Sequence, residues 1–440
     1  MVSGLIDFLA GKEILLWGFG REGRSSYRFL RKHFPGKRLT IADAKIAPIQ
    51  EELKADPLLS FLSQEAVPGR LTAFDLVLKS PGIPTASLGL PPDAAYRIAG
   101  QADLFLRFAP GRVAGVTGTK GKSTTSHLLR HLLAAAGADV RLGGNIGIPL
   151  WELIEELGPD SITVAELSSY QLENIRHGPH VALWLNLYEE HLNYHGTFAA
   201  YRSAKANLAR ALKPGGHLIY RADDPRLGQG LAEVALPPGV VRHPFDAERE
   251  FPFSLAGNAQ LPGNHNRLNA MAAWMAAKLL LPGLDPATVQ KALDTFLALP
   301  HRLEPVGIVG GIRYYNDSIS TVPEATLAAL EALPETDILI AGGMDRGVSY
   351  KGLTEALRRS RLRWLIVMPE TGAILAAQLR AGECRFQIAA VGTLEEAVAV
   401  AKREGKAGSL CLLSPAASSY HQYKNFEERG EAFRRLVLQS

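Results

Sequence analysis

The chain has 440 residues, 47% of them hydrophobic and 21% charged, a balance that excludes a disordered chain, a collagen and a coiled coil. Its 48 Lys and Arg residues face 44 Asp and Glu, and a net charge of +4 makes no electrostatic case for nucleic acid or a membrane surface as a partner. Two cysteines, Cys384 and Cys411, are too few for a disulfide framework and point to a reducing compartment.

The N-terminal apolar residues are interrupted by Asp7, Lys12 and Glu13, which argues against an export signal. No run reaches the roughly 18 apolar residues that span a bilayer, so a cytoplasmic protein is expected. Apolar strand-like runs then alternate with helical patterns. In chain order they are Ile14–Trp17, Leu39–Ala42, Asp75–Leu78, Val113–Thr117, Thr163–Glu166, Val181–Asn186, Leu218–Arg221, Ile312–Tyr315, Ile338–Ala341, Trp364–Met368 and Leu410–Ser414. Such alternation predicts an α/β protein with parallel sheets and ligands at the C-terminal ends of strands. The stretch Val234–Leu261 reads as a strand-rich antiparallel addition. Breaks near Phe105–Arg112 and Leu299–Pro300 suggest three domains, 1–105, 106–300 and 301–440, each long enough for its own core.

The first strand runs into Gly18-Phe19-Gly20-Arg21-Glu22-Gly23 and a helical segment, the G-x-G-x-x-G pattern in a strand–turn–helix setting. Asp43 closes the next strand, about 20 residues on, where dinucleotide sites place a ribose-binding carboxylate. A nucleotide site and simple close packing of helix on strand both fit. A second turn, Lys79-Ser80-Pro81-Gly82-Ile83, could offer N–H groups to a phosphate or be a turn alone.

The most informative stretch is Thr117-Gly118-Thr119-Lys120-Gly121-Lys122-Ser123-Thr124, between a buried strand and a helix. Loop N–H groups and the helix N-terminus would cradle phosphates. Lys122 would reach the β/γ-phosphates and Ser123 would hold Mg²⁺. A hydride-transfer enzyme needs no such lysine and hydroxyl, whereas an ATP-using enzyme does.

This loop resembles the ATP loop of the Mur ligase and folylpolyglutamate synthase superfamily. So do Glu166-Leu167-Ser168-Ser169-Tyr170-Gln171, the segment 186–191, Tyr201 to Lys205, the segment 263–269, His301-Arg302, Asn316-Asp317-Ser318, Gly342 to Arg346 and Leu413 through Phe426. Set in this order over essentially the whole chain, they resemble the glutamate-adding branch of the Mur ligases. The resemblance implies three domains: an N-terminal Rossmann-like domain for the UDP-sugar, a central P-loop ATPase-type α/β domain, and a C-terminal Rossmann-like domain. A folylpolyglutamate synthase would share the ATP loop but lack the N-terminal domain.

The implied reaction phosphorylates the alanyl carboxylate of UDP-N-acetylmuramoyl-L-alanine with ATP, after which the glutamate amine displaces phosphate. The resemblance assigns Gly118, Thr119, Lys120, Gly121, Lys122, Ser123 and Thr124 to the ATP phosphates. It gives Asn266 and Asn269 to adenine, with Arg302 and Asp317 reaching ATP on domain closure. Gly18, Gly20, Gly23, Asp43, Ser80, Gly82 and Asn145 would bind the UDP-sugar. Thr321, Arg346, Ser419, Tyr420 and Phe426 would bind glutamate. Lys122, His191 and Lys205 would be catalytic. Two Mg²⁺ sites would draw on Ser123, Glu166, His191 and a carbamylated Lys205. A monomer is expected, with small molecules as its partners. One departure stands out: Asn316-Asp317-Ser318-Ile319 has isoleucine where D-glutamate enzymes carry lysine. Part of the motif set resembles the branch that adds L-glutamate. D-glutamate is the first expectation and L-glutamate the alternative.

Overall fold

The computed structural model describes residues 2–84, 90, 92–258, 260–261, 263–297, 300–345 and 348–439. The described chain forms three largely parallel sheets and divides into two compact units, 1–253 with 268–293, and 254–267 with 294–440.

The first sheet holds β1 (Ile14–Trp17), β2 (Leu39–Asp43), β3 (Leu59–Ser63), β4 (Leu76–Lys79) and β5 (Ile98–Ala99), in the order β3-β2-β1-β4-β5. β1 and β4 are buried at every residue, which is why they read as continuous apolar runs. The strand order reverses between β1 and β4, so the crevice opens between the Gly18–Gly23 turn and the Ser80–Ile83 turn.

The second sheet holds β6 (Arg112–Thr117), β7 (Val140–Gly144), β8 (Ile162–Glu166), β9 (Val181–Trp184), β10 (His217–Arg221) and β11 (Val241–Phe245), in the order β11-β10-β9-β6-β8-β7. Here the reversal lies between β6 and β9, above which sits the phosphate loop. One continuous core joins this sheet to the first. Phe29 meets Trp151 at 5.1 Å between ring centroids, and Trp151 Nε1 donates to the Gln101 carbonyl at 3.1 Å. The first predicted domain boundary falls within the helix Gln101–Phe108, whose first six residues are buried.

The third sheet, in the other unit, holds β12 (Glu304–Val309), β13 (Ile312–Asn316), β14 (Ile338–Gly342), β15 (Trp364–Met368), β16 (Gln387–Ala390) and β17 (Leu410–Leu413). Its order is β12-β13-β17-β14-β15-β16, and only the β12–β13 pair is antiparallel. The sheet is covered on both faces by apolar clusters.

The expected strands are all present, most with ends shifted by a residue or two. The strands that sequence reading did not find all lie at sheet edges. β3 and β16 are only partly buried, so they lack a continuous apolar run. Val234–Leu261 is not an antiparallel addition. Among its described residues it contributes one strand, β11, which pairs parallel with β10. The remainder holds Pro237, Pro238 and Pro252, and a proline has no N–H to donate to a ladder. Both cysteines are free thiols, and no helix among the described residues is long and apolar enough to cross a membrane.

The loops above the third sheet are tied by Arg429, from the helix Phe426–Leu438. Its guanidinium, 2% exposed, donates to Ser318 Oγ at 3.0 Å, Ser318 O at 2.8 Å and Ala417 O at 3.2 Å. Burial pushes the guanidinium down to about 10. Arg429→Met leaves those buried acceptors unpaired and should destabilise the C-terminal unit by about 3 kcal/mol, read as a lower urea midpoint. An unchanged midpoint would contradict that role.

Asp317 accepts from Ser414 Oγ at 2.7 Å and from Leu303 N at 3.2 Å, and burial raises its carboxyl from 3.8 to about 6. A raised acid stabilises the fold fully below its unfolded value and loses that contribution as pH rises through about 6. The shift corresponds to about 3 kcal/mol lost between pH 4 and pH 7. Asp317→Asn should flatten that part of the stability–pH curve in urea titrations, and identical slopes for the two proteins would refute it.

Candidate nucleotide and substrate site

β6 delivers Thr117 into the phosphate loop, where Thr117 Oγ1 donates to Leu167 O at 2.8 Å. Asn186, just past the end of β9, brackets the loop. Its Oδ1 accepts from Lys120 N at 2.8 Å, its Nδ2 donates to Lys120 O at 3.0 Å, and its own carbonyl accepts from Thr119 N at 3.2 Å. Thr119 Oγ1 meets Tyr201 OH at 2.9 Å. Gly121, in the left-handed region at φ +81°, turns the chain into the helix Lys122–Ala135. That helix begins at the loop, so its first N–H groups face the site.

Two lysines converge on one carbonyl. Lys122 Nζ donates to Gly118 O at 2.9 Å and to Thr119 O at 3.0 Å, while Lys205 Nζ donates to the same Gly118 O at 2.8 Å. Lys205 is fully buried on the helix Phe198–Arg210. Burial, then the Lys122 charge, holds its ammonium well below the ordinary lysine range, against a smaller pull from Glu190 and Glu166. Lys120 pairs with Glu190 at 2.7 Å. Ser123 is buried at the helix start, and Thr124 is half-buried.

Glu166, at the end of β8, is wholly buried. Its Oε1 accepts from Asn145 Nδ2 at 2.7 Å, and its Oε2 has no hydrogen-bond partner. A buried carboxylate oxygen without a partner is costly, and a cation or donor ligand would relieve it. His191 has φ +59° and begins the helix Leu192–His195. Burial pushes its imidazole down to about 4, although Glu190 lies 3.6 Å away, so the ring is neutral near pH 7. Asn269 lies against the loop, with Thr125 Oγ1 donating to its Oδ1 at 3.3 Å, and Asn266 is buried one turn earlier on the helix Asn264–Leu280.

At the first sheet, Gly23 sits so near Gly18 that a Cβ would come within 2.2 Å of the Gly18 carbonyl. Ser80 Oγ donates to Gly18 O at 2.8 Å, stitching the two turns together. Gly20 and Gly82 face open space. Asp43 is engaged by backbone: Phe19 N donates to Oδ2 and Lys45 N to Oδ1, each at 2.8 Å. Arg21 donates to the carbonyls of Gly144, Asn145 and Gly147, reaching the loop that carries Asn145.

In the C-terminal unit the Arg302 charge acts on Asp317 and, together with burial, lowers the His265 imidazole. Ser419 and Tyr420 line a cleft of about 350 Å³, open to solvent, with Gly343, Met344, Glu370 and His421. Thr321 and Phe426 lie outside that lining, and Phe426 instead sets its ring 6.4 Å from His301. Arg346 lies outside the described residues.

Sequence reading assigned no role to Glu22, Lys79, Glu173, Tyr194 or Tyr201. Each acts through a partner distant in sequence, so none carries a local signal. Asn186 had a recognisable one, a buried polar residue closing an apolar run.

Gly121→Ala would place a Cβ 2.4 Å from Asn269 Oδ1 and force a left-handed alanine. The variant should lose about 1–3 kcal/mol of stability and at least tenfold in ATP affinity, read by thermal shift and calorimetry. Wild-type affinity would refute the tight fit.

Residues 116–251 match the Mur ligase middle domain. The UDP-N-acetylmuramoyl-L-alanine–L-glutamate ligase of Xanthomonas campestris pv. campestris (strain 8004) is 38% identical, over 98% of this chain and 96% of that protein. The UDP-N-acetylmuramoylalanine–D-glutamate ligase of Symbiobacterium thermophilum is 34% identical over 96% of both chains. Among solved structures, the MurF ligase of Thermotoga maritima in complex with ADP superposes with a TM-score of 0.61 at 17% identity, over 91% of this chain and 95% of that one, a likeness of fold. Likeness to both glutamate ligases along nearly the full length, with the phosphate loop in its Mur setting, shows that the chain belongs to the UDP-N-acetylmuramoyl-L-alanine–glutamate ligase family of Mur ligases.

Proposed function

We propose that the protein joins glutamate to UDP-N-acetylmuramoyl-L-alanine at the expense of ATP. The observation that carries this is the meeting of Lys122 and Lys205 on the Gly118 carbonyl beside the unpartnered Glu166 oxygen. The Lys122 cation and a second lysine that desolvation makes easy to deprotonate meet in one place, which suits a polyphosphate and the metal ion that would accompany it.

The substrate carboxylate oxygen bonds to the γ-phosphorus as the bond from that phosphorus to the ADP oxygen breaks. The glutamate amine nitrogen then bonds to the acyl carbon, the carbon–oxygen bond to phosphate breaks, and the amine releases a proton. Lys122 offsets charge on the transferring oxygens. Residues 1–105 are assigned to the sugar nucleotide through Gly18, Gly20, Gly23, Asp43, Ser80 and Gly82, with Asn145 from 106–300. Residues 106–300 also hold ATP, with Asn266 and Asn269 at adenine. Residues 301–440 contribute Arg302 and Asp317 to ATP, and Thr321, Arg346, Ser419, Tyr420 and Phe426 to glutamate.

The donor set fits Mg²⁺. Glu166 Oε2 supplies a hard oxygen, and the Ser123 hydroxyl and neutral His191 complete the protein's share. Among the described residues no cluster of three acidic, histidine or cysteine ligands exists, so phosphate oxygens and water would fill the remaining positions. When bound, Mg²⁺ would neutralise charge on the phosphates. Carbamylation of Lys205 fits its burial, because an uncharged amine is the form that adds carbon dioxide. The carbamate would add further oxygens for a second ion.

L-glutamate is the isomer this chain favours. Ile319 stands where D-glutamate enzymes carry lysine, and the Xanthomonas ligase named for L-glutamate is 38% identical against 34% for the Symbiobacterium ligase named for D-glutamate. Phosphate release with UDP-N-acetylmuramoyl-L-alanine and ATP should be faster with L- than with D-glutamate. The reverse order would restore D-glutamate, and release with neither would overturn the substrate pair. Lys122→Ala should lower turnover at least 100-fold while leaving UDP-sugar affinity within about twofold. Normal turnover in that variant would sink the ATP-loop assignment.

A further inference from the structure

Lys79 is the last residue of β4, directly before the Ser80–Ile83 turn. At the C-terminal end of a parallel strand beside a topological switch, a lysine is well placed to meet an anion. Its ammonium points inward instead. The side chain is 2% exposed, and Nζ donates to Ile83 O at 2.7 Å, Glu173 Oε2 at 3.1 Å and Tyr194 OH at 3.3 Å. An ammonium has three N–H donors, so all are spent on protein and none is left for a ligand.

The partners extend the contact in two directions. Toward the first sheet, Lys79 donates to the Ile83 carbonyl, and Tyr194 OH packs against the turn, 2.8 Å from the Pro81 carbonyl and 2.9 Å from that of Ile83. Toward the second sheet, Tyr194 OH donates to Glu173 Oε2 at 2.7 Å, and Tyr194 sits on the helix that begins directly after His191. The Tyr170 ring bridges the two, 4.3 Å from Tyr194 and 5.0 Å from His191 between centroids. Close by, Glu22 of the first glycine turn accepts from Gln171 Nε2 at 2.7 Å, tying that turn to the helix Ser169–Leu172. A continuous chain of contacts thus runs from the turn assigned to the sugar nucleotide to His191, the histidine assigned to catalysis and Mg²⁺.

We propose that Lys79 is a positioning residue that sets the Ser80–Ile83 turn against the His191 helix, so that the two ends of one long substrate are presented at a fixed separation. This rests on the substrate assignment above. The physical requirement is plain: a substrate bound at one end and reacting at the other needs its two anchors in constant register, because small misplacements cost large factors in rate. A buried ion pair with a full set of hydrogen bonds is stiffer than an exposed one, since every alternative arrangement strands a charge.

The test separates positioning from stability. Lys79→Met removes the cation and leaves the Glu173 carboxylate buried without its ion-pair partner Lys79; Lys79→Met with Glu173→Met removes both charges and should recover much of the thermal midpoint. Calorimetry gives the Kd for UDP-N-acetylmuramoyl-L-alanine and for ATP, and phosphate release gives kcat and KM. Lys79→Met should raise Kd and KM for the UDP-substrate about tenfold and lower kcat, with the ATP Kd within twofold. In the double variant the midpoint should recover while the UDP-substrate KM stays high. Recovery of midpoint and KM together, or equal losses for ATP and UDP-substrate, would overturn the proposal. If Lys79→Met does not fold, Tyr194→Phe removes one partner with little change of shape. It should raise the UDP-substrate KM several-fold with the ATP Kd unmoved, and an unmoved KM would again overturn it. Failure of the wild-type protein to bind the UDP-substrate would instead refute the substrate assignment and the inference with it, a failure recognisable because it precedes any mutation.

Discussion

The convergence of the Lys122 and Lys205 ammoniums on the carbonyl of Gly118 is the interaction on which the rest of the central site depends. Two like charges brought this close in a buried place repel, and the repulsion is strongest where water is least able to screen it. The fold accepts the cost by making Lys205 easy to deprotonate and by placing Glu190 and Glu166 nearby. What remains is a concentrated positive potential at the mouth of a loop whose helix adds the field of its own N-terminus. Asn186 makes that potential directional, since its bonds to Lys120 and Thr119 keep the loop backbone in one shape.

Topology explains why the chemistry gathers where it does. In both sheets of the N-terminal unit the strand order reverses beside the first strand of the sheet, and a glycine-rich turn stands at that reversal. Strands leaving in opposite directions open a crevice that no helix fills, so polar loops can occupy it without burying unpaired backbone. The third sheet follows the same logic with β17 inserted between β13 and β14, which gathers Asn316, Asp317, Gly342 and Ser414 at one end.

How much of this was legible in the sequence depended on whether the signal was local. β1 and β6 could be read because every residue in β1 and nearly every one in β6 is buried, leaving unbroken apolar runs that end in glycine. β3 and β16 could not, because an edge strand with one wet side needs no such run. Asp43 is picked out by its spacing from the first turn, and it does lie against that turn. The structure shows both its oxygens taken by backbone N–H groups that shape the turn itself. Arg346, expected at a glutamate carboxylate, lies outside the described residues.

The sequence by itself determined the phosphate loop, the alternation that makes parallel sheets, and the residue types that could meet ATP, a cation and a carboxylate, because each rests on neighbours within one strand–turn–helix unit. Only the tertiary structure decided which of those groups are desolvated and with what. It made Lys205 a neighbour of Lys122, left one Glu166 oxygen unpaired, and turned Lys79 inward onto Glu173 and Tyr194. Burial and charge pairing are set by residues nearly a hundred positions apart, and a pKa or a stranded oxygen follows from that surrounding volume, which no local pattern encodes.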